Sequence, residues 1–495
     1  MPDRRRPRRA RWVVGGVLAG LLTTLAWALS APLASSPDDN FHLPSIWCSH
    51  GYADDRCEEV PGEPDARSVP AQASVAVTCY VFNPLQSAAC ADDVMSDTAA
   101  RGVVEHGNWD QRDYPPVYYW LTGWFVSGDE VASVVMIRAF TGAVVIGLSA
   151  LLLLLVPIGM RPAAGVPLLV SSVPLGLSIL GSTNPSAWGI AGPAALWLAL
   201  HAAYASEGRR RQALCGVAVV AAVVGAGARA DACLFSAMAV VLAMILNWGR
   251  LRSQLLPTVT AVVVLVFSTV LFLRTAQAVA VTSGLDSAQV EGPASGMSNL
   301  ELTLANLGQL PTLWTGFLGT TPIGWLDTPM PAVVSFLSIA ALTVFLTLSW
   351  RRAPRPHQIA LALSGAALFV YPLYILGRSH LTVGQGVQPR YLLPLAVIFI
   401  GLVVLTGGAR LTRVQAWVIA GALAVAHAVS LHVQLRRYVT GLDVSNWNLD
   451  RKSEWWWDIA VGPTVVWVVG SLAFAWLAFT MLRLCVRDRA LQPTE

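Results

Sequence analysis

With 495 residues, 55% of them hydrophobic and only 13% charged, the chain falls far below the roughly 25% charged share of soluble domains, so lipid is the solvent for most of it. The net charge of +4 comes from arginines gathered in short segments between apolar runs, which reports membrane topology and no nucleic-acid partner. There is no P-loop and no dinucleotide fingerprint, so ATP-driven transport and cytosolic nucleotide chemistry lack supporting residues.

Crossing a hydrocarbon core takes about 20 residues at a rise of about 1.5 Å each. Twelve apolar runs approach that length: 12–34, 131–157, 163–181, 185–205, 212–228, 231–248, 256–275, 332–349, 358–376, 391–408, 414–434 and 462–482. The first follows a basic tail at 1–11, but its apolar run is longer than a signal-peptide core, which favours an anchor over a cleaved leader. An N-terminus on the cytoplasmic side puts the arginines of 4–11, Arg161, those of 209–211, Arg250, Arg252, those of 351–355, Arg410, Arg413 and those of 483–489 inside together, 20 of the 33 cations. Both termini are then cytoplasmic, with 484–495 as a tail and 131–483 as the main multi-helix domain.

Residues 35–130 form the large outer loop, holding 16 of the 29 acidic residues and four of the seven cysteines. Cys48, Cys57, Cys79 and Cys90 in an oxidising compartment make two disulfides in one of three pairings, and we expect the nearest-neighbour one, Cys48 with Cys57 and Cys79 with Cys90. The loop opens on Ser36-Pro37-Asp38-Asp39-Asn40-Phe41-His42. Repulsion between the adjacent carboxylates raises the pKa of one, making it a candidate base; the alternative is that Asp38 or Asp39 caps a short interfacial helix starting near Asn40. The loop closes on Asp113-Tyr114-Pro115-Pro116-Val117-Tyr118-Tyr119-Trp120, two prolines starting an aromatic helix suited to the headgroup region.

Further along, the turn Gly181-Ser182-Thr183-Asn184-Pro185-Ser186 lies outside, and Arg229-Ala230-Asp231 reads as an ion pair at the turn into the next helix. Cys215, Cys233 and Cys485 pack as small apolar groups. The other outer segments, 276–331, 377–390 and 435–461, converge above the bundle, the first with an interfacial helix near 300–318 and the last with Trp455, Trp456 and Trp457 as an aromatic belt. Arg378-Ser379-His380 and Gln388-Pro389-Arg390-Tyr391 offer planar guanidinium forks and a helix N-terminus, both suited to phosphate oxygens. His42 and His380 face outward; His201, His427 and His432 sit on apolar segments as packing residues. No histidine or cysteine spacing makes a metal site, and no internal repeat marks a duplicated transporter.

Together, the acidic pair after the first helix, the Tyr-Pro-Pro-x-Tyr-Tyr helix and a bundle without cytosolic domains resemble the C-type-fold (GT-C) glycosyltransferases, which take a sugar from a polyprenyl phosphate carrier. Extended by Asn184-Pro185-Ser186 and Gly386-Val387-Gln388-Pro389-Arg390-Tyr391-Leu392-Leu393-Pro394, the set resembles more narrowly the bacterial membrane family catalogued as domain of unknown function 2142. That family shows Pro-Asp-Glu-x-x-His early and Gln-Gly-Arg-Tyr late. Here Asp39 stands in place of Glu, and Pro389 in place of Gly removes a backbone donor beside Arg390.

The resemblance implies an all-α integral membrane fold of about twelve helices with a GT-C-like bundle. It implies transfer of a sugar from a polyprenyl-phosphate donor to a glycan, lipid or protein acceptor at the outer face of the bacterial cell membrane. Asp38 would be the catalytic base with Asp39 beside it. Substrate contacts would come from His42, Tyr114, Asn184, Arg229, Asp231, Arg378, His380, Gln388, Arg390 and Tyr391, with Arg378 and Arg390 on the phosphate. No cofactor is required, although a divalent metal on the phosphate is compatible with such chemistry. A lipid or polysaccharide transporter, or a non-catalytic assembly factor, is the alternative.

Overall fold

The protein is described here from a computed structural model over residues 5–51, 56–110, 113–276, 278, 294, 296–406, 411–457 and 459–486. Arg4, Arg410, Arg487 and Arg489 of the expected cytoplasmic clusters, and most of the start of the 276–331 segment, lie outside these residues. The chain is 68% helical. In order, α1 (Arg5–Leu29) leads to α2 (Asp39–Trp47), then to strands β1 (Glu58–Val60) and β2 (Glu63–Pro70), the short α3 (Asp92–Ser96) and β3 (Arg101–Val104). Next come α4 (Val117–Gly123), α5 (Glu130–Leu155), the short α6 (Val166–Ser171) and α7 (Leu175–Leu180), α8 (Ser186–Tyr204), α9 (Gly208–Ala226), α10 (Ala230–Leu246) and α11 (Leu255–Leu273). The chain continues with α12 (Asn299–Thr315), α13 (Ala332–Ser349), α14 (Arg355–Arg378), α15 (Pro389–Leu405), α16 (Arg413–Val439) and α17 (Pro463–Leu482).

Among the described residues, seven helices are long and apolar enough to cross a membrane: α1 from Trp12, α5, α11, α13, α14, α16 and α17. Five expected runs are not among them. Run 163–181 is divided into α6 and α7, because Pro174 cannot continue the α6 hydrogen-bond ladder. The helix read as 212–228 begins earlier and carries Arg209, Arg210 and Arg211 in its first turns. Runs 231–248 and 391–408 become 17-residue helices, α10 and α15. Helix α8 is sheathed by α5, α9, α10 and α15 and buried along nearly its whole length; packing against protein lets it carry Pro193 and His201, which dilute its apolarity. At its crossing with α9, a Cβ on Gly192 would lie 2.4 Å from the Gly225 Cα, so only glycine allows this approach.

The loop departs from the all-α expectation: β1, β2 and β3 form a three-stranded antiparallel sheet. Both expected disulfides are present, Cys48 to Cys57 and Cys79 to Cys90, with Cα atoms 5.2 and 6.2 Å apart. A buried ion pair fastens the second disulfide loop to the bundle. Arg437, at the end of α16, donates to Asp327 at 2.9 Å and to the carbonyls of Tyr80 and Gln86 at 2.7 and 2.6 Å, while Asp327 also accepts from the Phe82 amide.

The expected interfacial helix is α12, begun by a reciprocal Ser298/Glu301 capping box. It buries Leu302, Asn306, Leu310 and Leu313 and exposes Leu300, Leu304 and Leu307. The tryptophans read as a belt instead pack inward: Trp457 is buried with its indole N–H on the Leu29 carbonyl, and Trp455 donates to the Val461 carbonyl. His427 stacks on Phe474 and accepts from the Trp27 indole, His201 pairs with Asn247, and His432 meets the Trp447 carbonyl, so all three are packing residues. The free cysteines are buried.

Candidate functional site

The site begins where α1 ends. A helix C-terminus leaves carbonyls without intrahelical partners, and Arg138, buried on α5, collects those of Ala28, Ala31 and Pro32 at 2.9, 2.6 and 2.7 Å. The Trp325 indole holds the Ala34 carbonyl at 2.9 Å, and the Tyr80 hydroxyl holds that of Leu33. Pinned in this way, the chain turns through left-handed Ala34 (φ 56°) and Asp38 (φ 62°) before entering α2. Aspartate visits that region more readily than most residues.

The two adjacent aspartates divide their work. Asp39 is wholly buried; its carboxylate accepts from the Ser36 amide at 3.0 Å and the Thr183 hydroxyl at 2.5 Å. Burial pushes its pKa up to about 6, opposed by Arg138 and these hydrogen bonds, so the cause is desolvation and not the expected repulsion by Asp38. It cannot touch a substrate, and its part is to hold the turn. Asp38 occupies the N-cap position of α2, yet its side chain makes no capping bond. It points instead to α15, with one carboxylate oxygen 2.5 Å from Arg390 Nη2 and the side chain 40% exposed.

The 182–186 turn ties this carboxylate loop to a second arginine. Asn184 donates to the Pro37 carbonyl at 2.8 Å and accepts from the Ser186 amide, while the Ser186 hydroxyl accepts from Arg229 Nη1 at 3.1 Å. Arg229 is gripped by Asp231 through two bonds of 2.9 and 3.2 Å, the ion pair expected from Arg229-Ala230-Asp231. Its guanidinium lies over the rings of Tyr114 and Tyr391, at 5.4 and 5.1 Å from their centroids. Arg390 lies over the same Tyr391 ring and donates to its hydroxyl at 3.2 Å.

His42, one turn after Asp38 on α2, is buried. Its Nδ1 meets the Tyr119 hydroxyl at 2.8 Å, and its ring contacts Phe41, Tyr114 and Tyr119. Burial drives its pKa down to about 3, against the pull of Asp38 and aided by Arg229 and Arg390, so the imidazole is neutral at physiological pH. Burial also lifts the Tyr114 hydroxyl to about 12.

Three nitrogens in this cluster are buried without a hydrogen-bond partner: Arg390 Nε, Arg390 Nη1 and His42 Nε2. Arginine is only 2% exposed at this position, and leaving two of its N–H groups unmet costs about 1–3 kcal/mol each or more. Such an arrangement suits an anionic, oxygen-rich ligand, an oxygen of which would satisfy Nε or Nη1; these lie on different edges of the guanidinium, which share the Nη2 that holds Asp38.

Arg378 and His380 stand exposed at the end of α14, His380 with a left-handed backbone (φ 49°). The second guanidinium joined to Arg390 by the contacts above is thus Arg229, in the place expected for Arg378. Gln388 is the N-cap residue of α15, without a side-chain bond to the helix. Tyr119 and Thr183 also belong to the cluster; both lie within the motifs quoted from the sequence, which assigns neither of them a substrate contact. The donor set does not fit a divalent metal. The one reachable carboxylate is engaged by Arg390, Asp39 faces inward and Asp231 is chelated by Arg229; no group of three or more metal-binding side chains occurs among the described residues.

Several long apolar helices and a polar cluster walled by a disulfide-bonded loop define a multi-pass membrane protein. Its family follows from the sequence match: the model described as predicted membrane protein (DUF2142) covers residues 21–399, most of the chain and all of the cluster, so the protein belongs to that family. No curated protein matches it.

Proposed function

We propose that this protein is a membrane glycosyltransferase of GT-C type, moving a sugar from a polyprenyl-phosphate carrier to an acceptor hydroxyl on the outer face of the bacterial cell membrane. The observation that carries the reading is the pairing of Asp38 with Arg390, whose Nε and Nη1 are buried and unpartnered. In this reading the bundle crosses the membrane about twelve times with both termini inside. Segment 35–130 is extracytoplasmic, between an anchor at 12–34 and the helical domain at 131–483. The two disulfides support that side for the loop.

Asp38 accepts the proton of the acceptor hydroxyl as its oxygen attacks the anomeric carbon. The bond from that carbon to the phosphate oxygen breaks, and polyprenyl phosphate leaves with the electron pair. Arg390 takes the charge developing on phosphate through Nε or Nη1, while Arg229 adds positive potential across the Tyr391 ring. Neutral His42, its ring fixed by Tyr119, offers Nε2 to a substrate oxygen. One displacement of this kind inverts the anomeric centre. No step uses a metal, in keeping with the donor set.

A transporter would need ionisable groups free within the spans. The buried arginine of α5, Arg138, is instead occupied by three backbone carbonyls, which favours the enzyme. The test is mass spectrometry of envelope glycans from a deletion strain complemented with the wild-type gene or with Asp38→Asn. A sugar restored by the wild type and missing with the variant is expected. Full restoration by Asp38→Asn removes the proposed role.

A further inference from the structure

Tyr119, the hydroxyl partner of His42, also forms a wall of a cavity of about 730 Å³. That volume lies within the range of about 300–1,000 Å³ typical of small-molecule sites. Around it stand Cys48 and Trp109 of the disulfide loop, Trp120 and Leu121 of α4, and Val223 near the end of α9. Three polar side chains on this wall are already committed. The Ser49 hydroxyl donates to the Ile46 carbonyl at 2.7 Å, the Asn108 amide brackets the backbone of Tyr114 at 3.0 and 2.9 Å, and Tyr119 is held by His42. What remains for an occupant is mostly hydrocarbon and ring faces, edged by the indoles of Trp109 and Trp120.

The location identifies the occupant further. Val223 belongs to an apolar helix of the bundle, and beside the cavity Trp120 of α4 and Trp124 just after its end are 50% and 67% exposed. Paired exposed indoles of this kind mark the boundary between lipid and water. The cavity therefore adjoins the polar cluster through Tyr119 and meets the bilayer surface beside α4.

We propose that this cavity takes the hydrocarbon chain of a lipid-linked substrate whose polar head reaches past Tyr119 to Asp38. The assignment of that head to Asp38 rests on the transferase reading; the chain-binding site does not. Carrier and acceptor lipids share the required chemistry, and labelling tells them apart.

The experiment uses the full chain in nanodiscs with two photoreactive probes, a polyprenyl phosphate and a diacyl glycolipid, each with a diazirine in its hydrocarbon chain. Labelled peptides are mapped by mass spectrometry. Labelling within 108–121 or at 223 is expected from one probe and is competed by the same lipid without the diazirine. A carrier-probe signal identifies the donor chain and a glycolipid signal the acceptor chain. Val223→Trp and Leu121→Trp, each filling the space, should lower that labelling about tenfold, the loss expected when two or more buried methylenes are evicted. Retained thermal unfolding certifies the fold of each variant, and the wild-type map stands without them. Labels confined to other lipid-facing helices such as α11 and α17, or cavity labels unchanged in both folded tryptophan variants, overturn the proposal. Cavity labelling that persists in Asp38→Asn separates this site from the chemistry: if that variant also transfers sugar normally, the transferase reading falls and the chain site stands.

Discussion

Arg390→Met separates the function proposed for this arginine from a purely structural one. The wild-type guanidinium is almost fully buried, gives one nitrogen to Asp38 and leaves Nε and Nη1 unmet. One charge-assisted hydrogen bond from either of these nitrogens to a phosphate oxygen contributes about 1.5–3 kcal/mol. Its loss lowers kcat/KM for the lipid donor roughly 10-fold to 150-fold. Lysine at this position restores the charge without the planar fork, so Arg390→Lys should recover only part of the activity. Stability should change little. Removing one partner of a buried ion pair is costly when the other charge stays buried, but the Asp38 left behind is 40% exposed and can be hydrated. The assay is sugar transfer in proteoliposomes with the polyprenyl phosphosugar varied at saturating acceptor, paired with thermal unfolding in detergent. Wild-type kinetics in Arg390→Met, or a loss of activity explained by an equal loss of folded protein, would refute the reasoning.

Asp39→Asn tests the buried carboxyl. Its folded pKa of about 6, raised from 3.8, means that its stabilising contribution is complete below 3.8 and lost as pH rises through 6. The variant does not ionise, so its melting temperature relative to wild type should climb between pH 4 and pH 7, a swing of about 3 kcal/mol; a gap independent of pH contradicts this. Asn184→Ala frees the Pro37 carbonyl that sets the Asp38 turn, and a fall of about tenfold in kcat is expected from one lost hydrogen bond in the positioning of the base, with donor KM unchanged. A rise in donor KM alone would place Asn184 on the substrate instead. Arg437→Met strands Asp327 in the interior, at a cost of about 3–5 kcal/mol, seen as a lower melting temperature and faster reduction of Cys79–Cys90 by external thiol. An unchanged melting curve would show that this pair does not fasten the loop.

What could be read from the chain was local. The ion pair Arg229–Asp231 spans two residues, and the two disulfides close between nearest neighbours, so short separation sufficed. Asp38 and Arg390 were recognisable one by one from their motifs, but nothing in a single sequence states that positions 352 apart meet. The same applies to the exchange of Arg378 for Arg229, which depends on how α10 and α15 pack around Tyr391. The division between Asp38 and Asp39 was hidden because it is set by a left-handed backbone at Asp38 and a hydroxyl from Thr183, both fixed by tertiary structure. Helices α8, α10 and α15 are legible as apolar runs with bounds within three residues of those observed, but not as helices enclosed by protein, since a helix surrounded by protein need not keep the length and uniform apolarity demanded by lipid. The β1–β3 sheet escaped notice because its short, charged strands, such as Glu58–Val60, lack the alternation that marks a strand.

The central claim is that the Asp38 carboxylate deprotonates the acceptor. It is tested most directly by single-turnover transfer from a radiolabelled polyprenyl phosphosugar by purified, folded Asp38→Asn. The account predicts donor binding near that of the wild type and a transfer rate lower by about 100-fold to 10,000-fold. Transfer at the wild-type rate would contradict it.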